Sequence, residues 1–272
     1  MGTKTQLDFA SIVGLLLGPA CVLGGQWIEG GALGSLVQLS AAMIVVGASL
    51  GACMLSFAPS SLMAAARDVK KVVASTVPDP FELIDRIVGY STVLSKEGPI
   101  ALQKQISKES YPLLSTALNL LVSNMAPESL LGVLERRFAE NFRLNSAGAD
   151  VFDAAGGYLP TFGIMGAVLG LIHTMSMLDD PSKIGSGIAT AFVATLYGVG
   201  TANILAYPFS KKIRARAQTE KELDRIVITA FKGILAGQKG LALRQTLTGG
   251  SPTPPVALVK KTEKTEKTEK AA

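Results

Sequence analysis

His173 is the one histidine of the chain. It lies in an apolar run, Ala154 to Leu178, that holds no Asp, Glu, Lys or Arg. An imidazole with an ordinary pKa of about 6.5 can take up and release a proton near neutral pH. A second uncharged run, Ile184 to Ser210, carries Thr190, Thr195, Thr201 and Asn203. A polar group turned to lipid costs free energy, so these four are expected to face protein or water. Neither run holds a carboxylate, and a carboxylate that binds and releases the ion is the usual core of a membrane proton relay. His173 therefore reads as a hydrogen-bonding or interfacial residue, or as one that tunes ion passage. Together the two runs read as half of an ion pathway, with the carboxylate supplied by another polypeptide.

Small residues are placed as regularly as the polar ones. Gly163, Ala167, Gly170 and Thr174 follow at spacings of four, three and four, and form one narrow face. Gly187, Ala191, Ala194, Thr195, Gly198 and Ala202 form another. Such faces let membrane helices approach closely. Two readings are open: packing between helices of one subunit, or a groove around something else. Pro160 stands at the start of the first run. A proline lacks an N–H and leaves a carbonyl unpaired inside a helix, but it is also tolerated in a helix's first turn.

The elements that must position these residues are four uncharged stretches: Phe9 to Ile28, Gly30 to Ala66, and the two runs above. A membrane-spanning helix needs about 20 apolar residues, and each stretch is long enough. Mean hydropathy is +0.37 and charged residues make up only 17%. A soluble bundle of such helices would show a charged outer face, which is missing. The first stretch is longer than the apolar core of a cleaved signal and is expected to be retained. Its far end carries Trp27 at the expected interface. Cys21 and Cys53 lie inside the stretches without metal-ligand spacing and read as small packing residues.

Lys and Arg set the orientation. The segment Arg67 to Asp153 holds ten and the chain after Ser210 holds fourteen, whereas the two short links hold Lys183 alone. Both termini are expected in the cytoplasm, and the pI of about 9.2 is a topological signal rather than a nucleic-acid footprint. The expected fold is an all-α integral membrane protein, with four transmembrane helices and a large helical cytoplasmic insert between helices 2 and 3. Residues 1–58 form a transmembrane hairpin, 59–155 the insert, 156–210 a second hairpin lining the ion path, 211–248 a cytoplasmic amphipathic helix striped by Ile226, Ala230, Phe231 and Ile234, and 249–272 a Pro-rich and Lys/Glu-rich disordered tail. The insert opens on a helix that continues out of the second span, breaks at Val77–Pro80 and again near Gly98–Pro99. No Walker loop, nucleophile elbow or Cys/His cluster appears; no catalytic residue, metal site or cofactor is expected, and the chain does not read as an enzyme.

The stretch "YLPTFGIMGAVLGLIHTMSMLDDPSKIGSGIATAFVATLYGVGTANILAYPFSKKIRAR" closely resembles the MotA/PomA stator subunits of the bacterial flagellar motor, in the wider MotA/TolQ/ExbB proton channel superfamily. The resemblance rests on Pro160, "FG.MGAVLGL", "DDP..IG", "A.VATLYG" with Tyr197, the "AN" pair and Pro208. It implies a multi-pass inner-membrane protein whose copies, five in the family, ring two copies of a MotB-type subunit. That partner crosses the membrane once, carries the ion-binding Asp and grips peptidoglycan. Ion flow would drive rotation and chemotactic motility through the rotor protein FliG. Pro160, Ala167, Thr195, Tyr197, Pro208 and His173 would serve the ion pathway and coupling. Gly163, Gly170, Gly187, Ala191 and Gly198 would form the groove for the partner helix.

The rotor contact departs from the family pattern. There it resembles "ARREGLLALE"; here the aligned stretch is "LSKEGPIALQ". Lys96 keeps the key positive charge, Gln103 loses the key negative one, and Glu97 and Glu109 are the candidate replacements, with Arg86 and Lys104 as further contacts. The resemblance also bears on the ion. Sodium-driven relatives place a threonine at the position of Ala167 to work with one matching Thr195; with alanine there, the translocated ion is expected to be H+ rather than Na+. Two other readings remain: a TolQ/ExbB-type subunit, which normally has three spans, and a small-solute transporter, which would carry an internal repeat or an intramembrane charge.

Overall fold

The computed structural model describes residues 6–75, 78–177 and 181–249. The Asp179–Asp180 pair and all but Gly249 of the expected tail lie outside them. The described chain is built of helices apart from a two-residue antiparallel pairing of β1 (Gln6–Leu7) with β2 (Ala74–Ser75). Four helices are long and apolar enough to cross a membrane by length and composition.

The first unit comprises 6–75 and 144–215 among the described residues. Asp8 starts α1 (Phe9–Ile28) by accepting the Ser11 N–H at 3.2 Å, and its carboxylate also pairs with Lys212. No residue of α1 is buried; Phe9, Leu16, Leu17, Trp27 and Ile28 are all exposed. An apolar surface of that extent needs lipid or another chain to cover it. The second apolar stretch is interrupted. A 3₁₀ turn at Leu33–Leu36 leads to α2 (Leu39–Ala42), a π-turn at Met43–Gly47 and α3 (Ala48–Ser56). The helix expected to continue outward does not: Phe57 is extended at φ −125° and ψ 146°, and Pro59 opens a new helix, α4 (Pro59–Val73). Phe57 and Ala58 precede a proline, whose ring disfavours helical backbone before it.

The second unit comprises 78–143 and 216–249. Asp79 caps α5 (Pro80–Glu97) by accepting the Phe81 N–H at 2.9 Å, and Gly98 ends it at φ +82°, a conformation that favours glycine. A 3₁₀ turn, Pro99–Leu102, then α6 (Gln103–Ile106) and α7 (Pro112–Val122) follow. The apolar α7 falls within the insert that was expected to be helical. The core gathers Leu83, Ile87, Leu114, Leu118, Leu130, Leu134, Leu223, Val227, Phe231 and Leu243. Ala230 and Phe231 are fully buried, so the expected stripe faces this core.

Two helices pass through both units along the chain. In α8 (Pro127–Met175), 49 residues run without a break from the insert into the third apolar stretch. In the fourth, α9 (Pro181–Thr201), a π-turn at Ala202–Ala206 and α10 (Tyr207–Leu235) form one continuous element, not a span followed by a separate helix. The C-terminal α11 (Gly240–Thr248) seats Leu243 in the core. Unit boundaries consequently fall at 75–78, 143–144 and 215–216, so α4 and the 144–155 segment belong with the apolar helices.

Candidate ion-path and rotor-contact residues

The small-residue faces of α8 and α9 meet one another. A Cβ built at Gly163 would lie 3.1 Å from the Ala194 carbonyl oxygen and 3.2 Å from the Gly198 Cα. One at Gly198 would lie 2.5 Å from the Leu159 carbonyl oxygen and 3.2 Å from the Pro160 Cα. One at Gly170 would meet Ala191 at 3.1 Å, and one at Gly187 would meet the Thr174 hydroxyl. Backbones this close leave no space for a third helix between them. Within the chain, Gly163, Gly170, Gly187, Ala191 and Gly198, the residues expected to form a groove for a partner helix, lie in the contact between α8 and α9. The surfaces left open are the large apolar ones, Ile164, Val168 and Ile172 on α8 and Phe192, Leu196 and Val199 on α9.

That contact makes a sharp prediction. Gly198→Ala should cost about 1–3 kcal/mol, the range for overpacking a filled interface. Gly200→Ala, where nothing lies within 4 Å, should be neutral or gain about 0.5–1 kcal/mol by relieving helix entropy. Thermal melts of the detergent-solubilised complex read both; equal midpoints for the two variants would refute the close packing.

Pro160 sits deep inside α8, which begins at Pro127, so the first-turn explanation does not hold. Its nitrogen cannot donate to the Gly156 carbonyl. Three elements grip that turn. The Tyr207 ring lies against Gly156, where a Cβ would meet it at 2.7 Å; Gly198 backs Leu159 and Pro160; and the hydroxyls of Tyr158 and Ser56 share a 3.0 Å hydrogen bond. Thr195 is half-buried with its Cα against Gly163, and Ala167 is half-buried as well. Tyr197 does something the sequence did not show: its hydroxyl donates to the Leu36 carbonyl and accepts the Gln38 N–H at 3.2 Å, tying α9 to the start of the second apolar stretch. His173 and Pro208 are exposed and join none of these contacts. Asn203 donates back to the Val199 carbonyl at 2.9 Å within the π-turn region.

On the insert, Lys96 and Glu97 are exposed at the end of α5, and Gln103 and Lys104 are exposed on α6. Arg86 and Glu109 are not surface charges of the same kind. The Glu109 side chain is fully buried and accepts from Arg86 Nη1 at 2.7 Å, the Tyr90 hydroxyl at 2.9 Å and the Tyr111 N–H at 2.8 Å. Of the two acids considered beside Gln103, Glu109 is thus held by Arg86, Tyr90 and the Tyr111 N–H, and Glu97 is exposed.

Sequence reasoning missed Tyr111, Asp224 and Asn141, which hydrogen-bond to one another across more than eighty positions of chain. It also missed Asp68, buried against Gly148 with the Arg67 guanidinium 3.9 Å away. No sequence-local signal marked either. Among the described residues no group of three or more His, Cys, Asp or Glu could hold a metal.

The MotA/TolQ/ExbB proton channel family model matches residues 105–225, and the model for the motility protein A N-terminal region matches residues 12–97. Motility protein A of Bacillus subtilis (strain 168) is 26% identical over 248 residues, 89% of this chain and 90% of that protein. The chemotaxis protein PomA of Vibrio alginolyticus is 28% identical over 234 residues, covering 86% and 90%. Among solved structures, C. jejuni MotAB superposes with a TM-score of 0.82 at 26% identity, covering 92% of this chain and 98% of that one. The flagellar MotAB stator complex of Bacillus subtilis gives 0.80 at 26% identity, covering 90% and 96%.

Proposed function

The chain belongs to the MotA/PomA type of the MotA/TolQ/ExbB proton channel family, and from that premise we propose that it is a flagellar stator subunit which, with a single-span MotB-type partner, forms an ion-conducting, torque-generating unit in the bacterial inner membrane. The observation that carries this reading is the likeness of nearly the whole chain to C. jejuni MotAB. In this reading the four apolar helices are its spans, the Lys- and Arg-rich segments favour a cytoplasmic side for both termini, and five copies surround the partner. The uncovered apolar surface of α1 suits lipid and neighbouring copies. The exposed group Lys96, Glu97, Gln103 and Lys104 is the contact for FliG. A TolQ/ExbB-type subunit normally has three spans, and the four apolar helices of this chain argue against that alternative.

The division of work follows from charge. This chain brings no carboxylate to its apolar runs, so the partner brings the ion-binding acid. Ala167 brings no side-chain oxygen at the position where sodium-driven relatives carry a threonine, which disfavours a sodium shell of several oxygen ligands and suits a proton passed by hydrogen bonds. In a bacterium lacking stators, this chain expressed with its MotB-type partner is expected to restore swimming. The speed should survive sodium withdrawal at fixed pH and collapse with a protonophore. Swimming that follows sodium and ignores the protonophore would overturn the proton assignment; no swimming at all would overturn the stator reading.

A further inference from the structure

The insert unit contains a chain of buried polar contacts that neither the apolar helices nor the exposed cations account for. Arg86 and Tyr90 on α5 donate to Glu109, as does the Tyr111 N–H. The Tyr111 hydroxyl donates to Asp224 Oδ1 on α10 at 2.6 Å, and Asp224 Oδ2 accepts from Asn141 Nδ2 on α8 at 3.2 Å. Tyr111 is 8% exposed and Asp224 5%. Six residues from three long helices and the link before α7 are thus joined in one network.

Their surroundings keep these bonds made. Burial, then the charge of Asp224, push the Tyr111 phenol far above its usual range, and burial with Glu109 pushes Tyr90 up to about 12. Both hydroxyls stay protonated and remain donors. Burial also raises the Asp224 carboxyl, opposed by the bonds from Tyr111 and Asn141. Hydrogen bonds to ionised groups are short and directional. Apolar packing, by contrast, is non-directional and lets elements slip. The 98–108 turn is seated in the core by Leu102 and Ile106, and the series of directional bonds adds a fixed register against two helices to that apolar anchor.

We propose that Glu109, Tyr111, Asp224 and Asn141 form a rigid cross-link that holds the turn bearing Gln103 and Lys104 to α8 and α10, with Tyr111 as its central positioning residue. This rests on the stator reading, in which that turn meets the rotor. A push on the turn is then delivered to α8, the helix that also contains Pro160, and to α10, which continues from the Ala202–Ala206 π-turn.

The test compares wild type, Tyr111→Phe, Asp224→Asn and Asp224→Ala in the full complex with its partner. Tyr111→Phe removes one hydroxyl and leaves the ring in the core. Amide hydrogen exchange over 98–111 should quicken about fivefold, the factor for one hydrogen bond of average net strength. Stall torque should fall about twofold or more, within the range by which single positions change coupling, while complex level and ion flux stay at wild-type values. Asp224→Asn keeps a carbonyl for the Tyr111 hydroxyl and should retain most of the torque; Asp224→Ala should not. Unchanged exchange and torque in Tyr111→Phe would overturn the proposal, and so would a parallel fall in flux and complex level, which would mark the chain as general support. Failure of the wild type to power swimming would instead count against the stator reading, and the exchange measurement would still decide whether the cross-link exists.

Discussion

Pro160→Leu is expected to abolish swimming while the complex continues to assemble. Proline inside a helix is about 3 kcal/mol less favourable than a good helix former, and leucine also restores the donor for the Gly156 carbonyl. On helix energetics alone the variant should be at least as stable as the wild type. A loss of function would then come from the shape or pliancy of one turn of α8. That turn is held where a change would be felt: Gly198 lies on Leu159 and Pro160, and the Tyr207 ring lies on Gly156. Removing the backbone defect stiffens the one place in α8 where an intrahelical bond is missing by covalent structure. Swimming speed and pull-down of the partner are to be scored together. Normal swimming would reduce Pro160 to a tolerated irregularity, and loss of the partner along with swimming would make it an assembly residue.

Local chemistry was readable before the fold was. The four uncharged stretches, the small-residue spacing, Pro160 and the turn at Gly98 follow from properties that reach only a few positions along the chain: hydropathy, side-chain size, a missing donor, a missing Cβ. What could not be read depends on partners far apart. Gly163 and Gly198 fit equally well against each other or against a foreign helix, because a small face records close approach but not by whom. Glu109 looked like a surface acid because its captors, Arg86, Tyr90 and the Tyr111 N–H, assemble only when α5 and the link before α7 close on it. The course of α8 from Pro127 to Met175 was partly legible, since residues 129–159 read as a helix feeding the third apolar stretch, and the backbone passes straight through the change from charged to apolar composition. The break at Phe57 was the reverse case: an apolar run concealed it, and the signal was Pro59 restricting the residues before it.

The same helix contact bears on conduction. Vesicles holding this chain alone are expected to show no sustained proton flux. Moving a bare charge through the bilayer centre costs at least about 2.5–3.5 kcal/mol even on the most lenient scale, so a path needs groups that carry the proton in steps. The apolar runs offer no carboxylate. The face where hydroxyls and small residues could have lined a wet channel is closed on itself, with Gly163 on Ala194, Gly170 on Ala191 and Gly187 on Thr174. His173 is exposed rather than set in that contact, and its run holds no Asp, Glu, Lys, Arg or second histidine to hand a proton to. The stator reading then expects a working path outside the α8–α9 contact, along the exposed Ile164–Ile172 or Phe192–Val199 surfaces, where a partner helix can bring its own acid. With a potassium diffusion potential imposed and a pH dye inside, the chain alone should match empty vesicles. The chain with its partner should conduct well above that baseline, and replacing the partner's membrane Asp with Asn should return the signal to it. Sustained flux from the chain alone would show that one polypeptide completes the path and that the two-component division of charge is wrong.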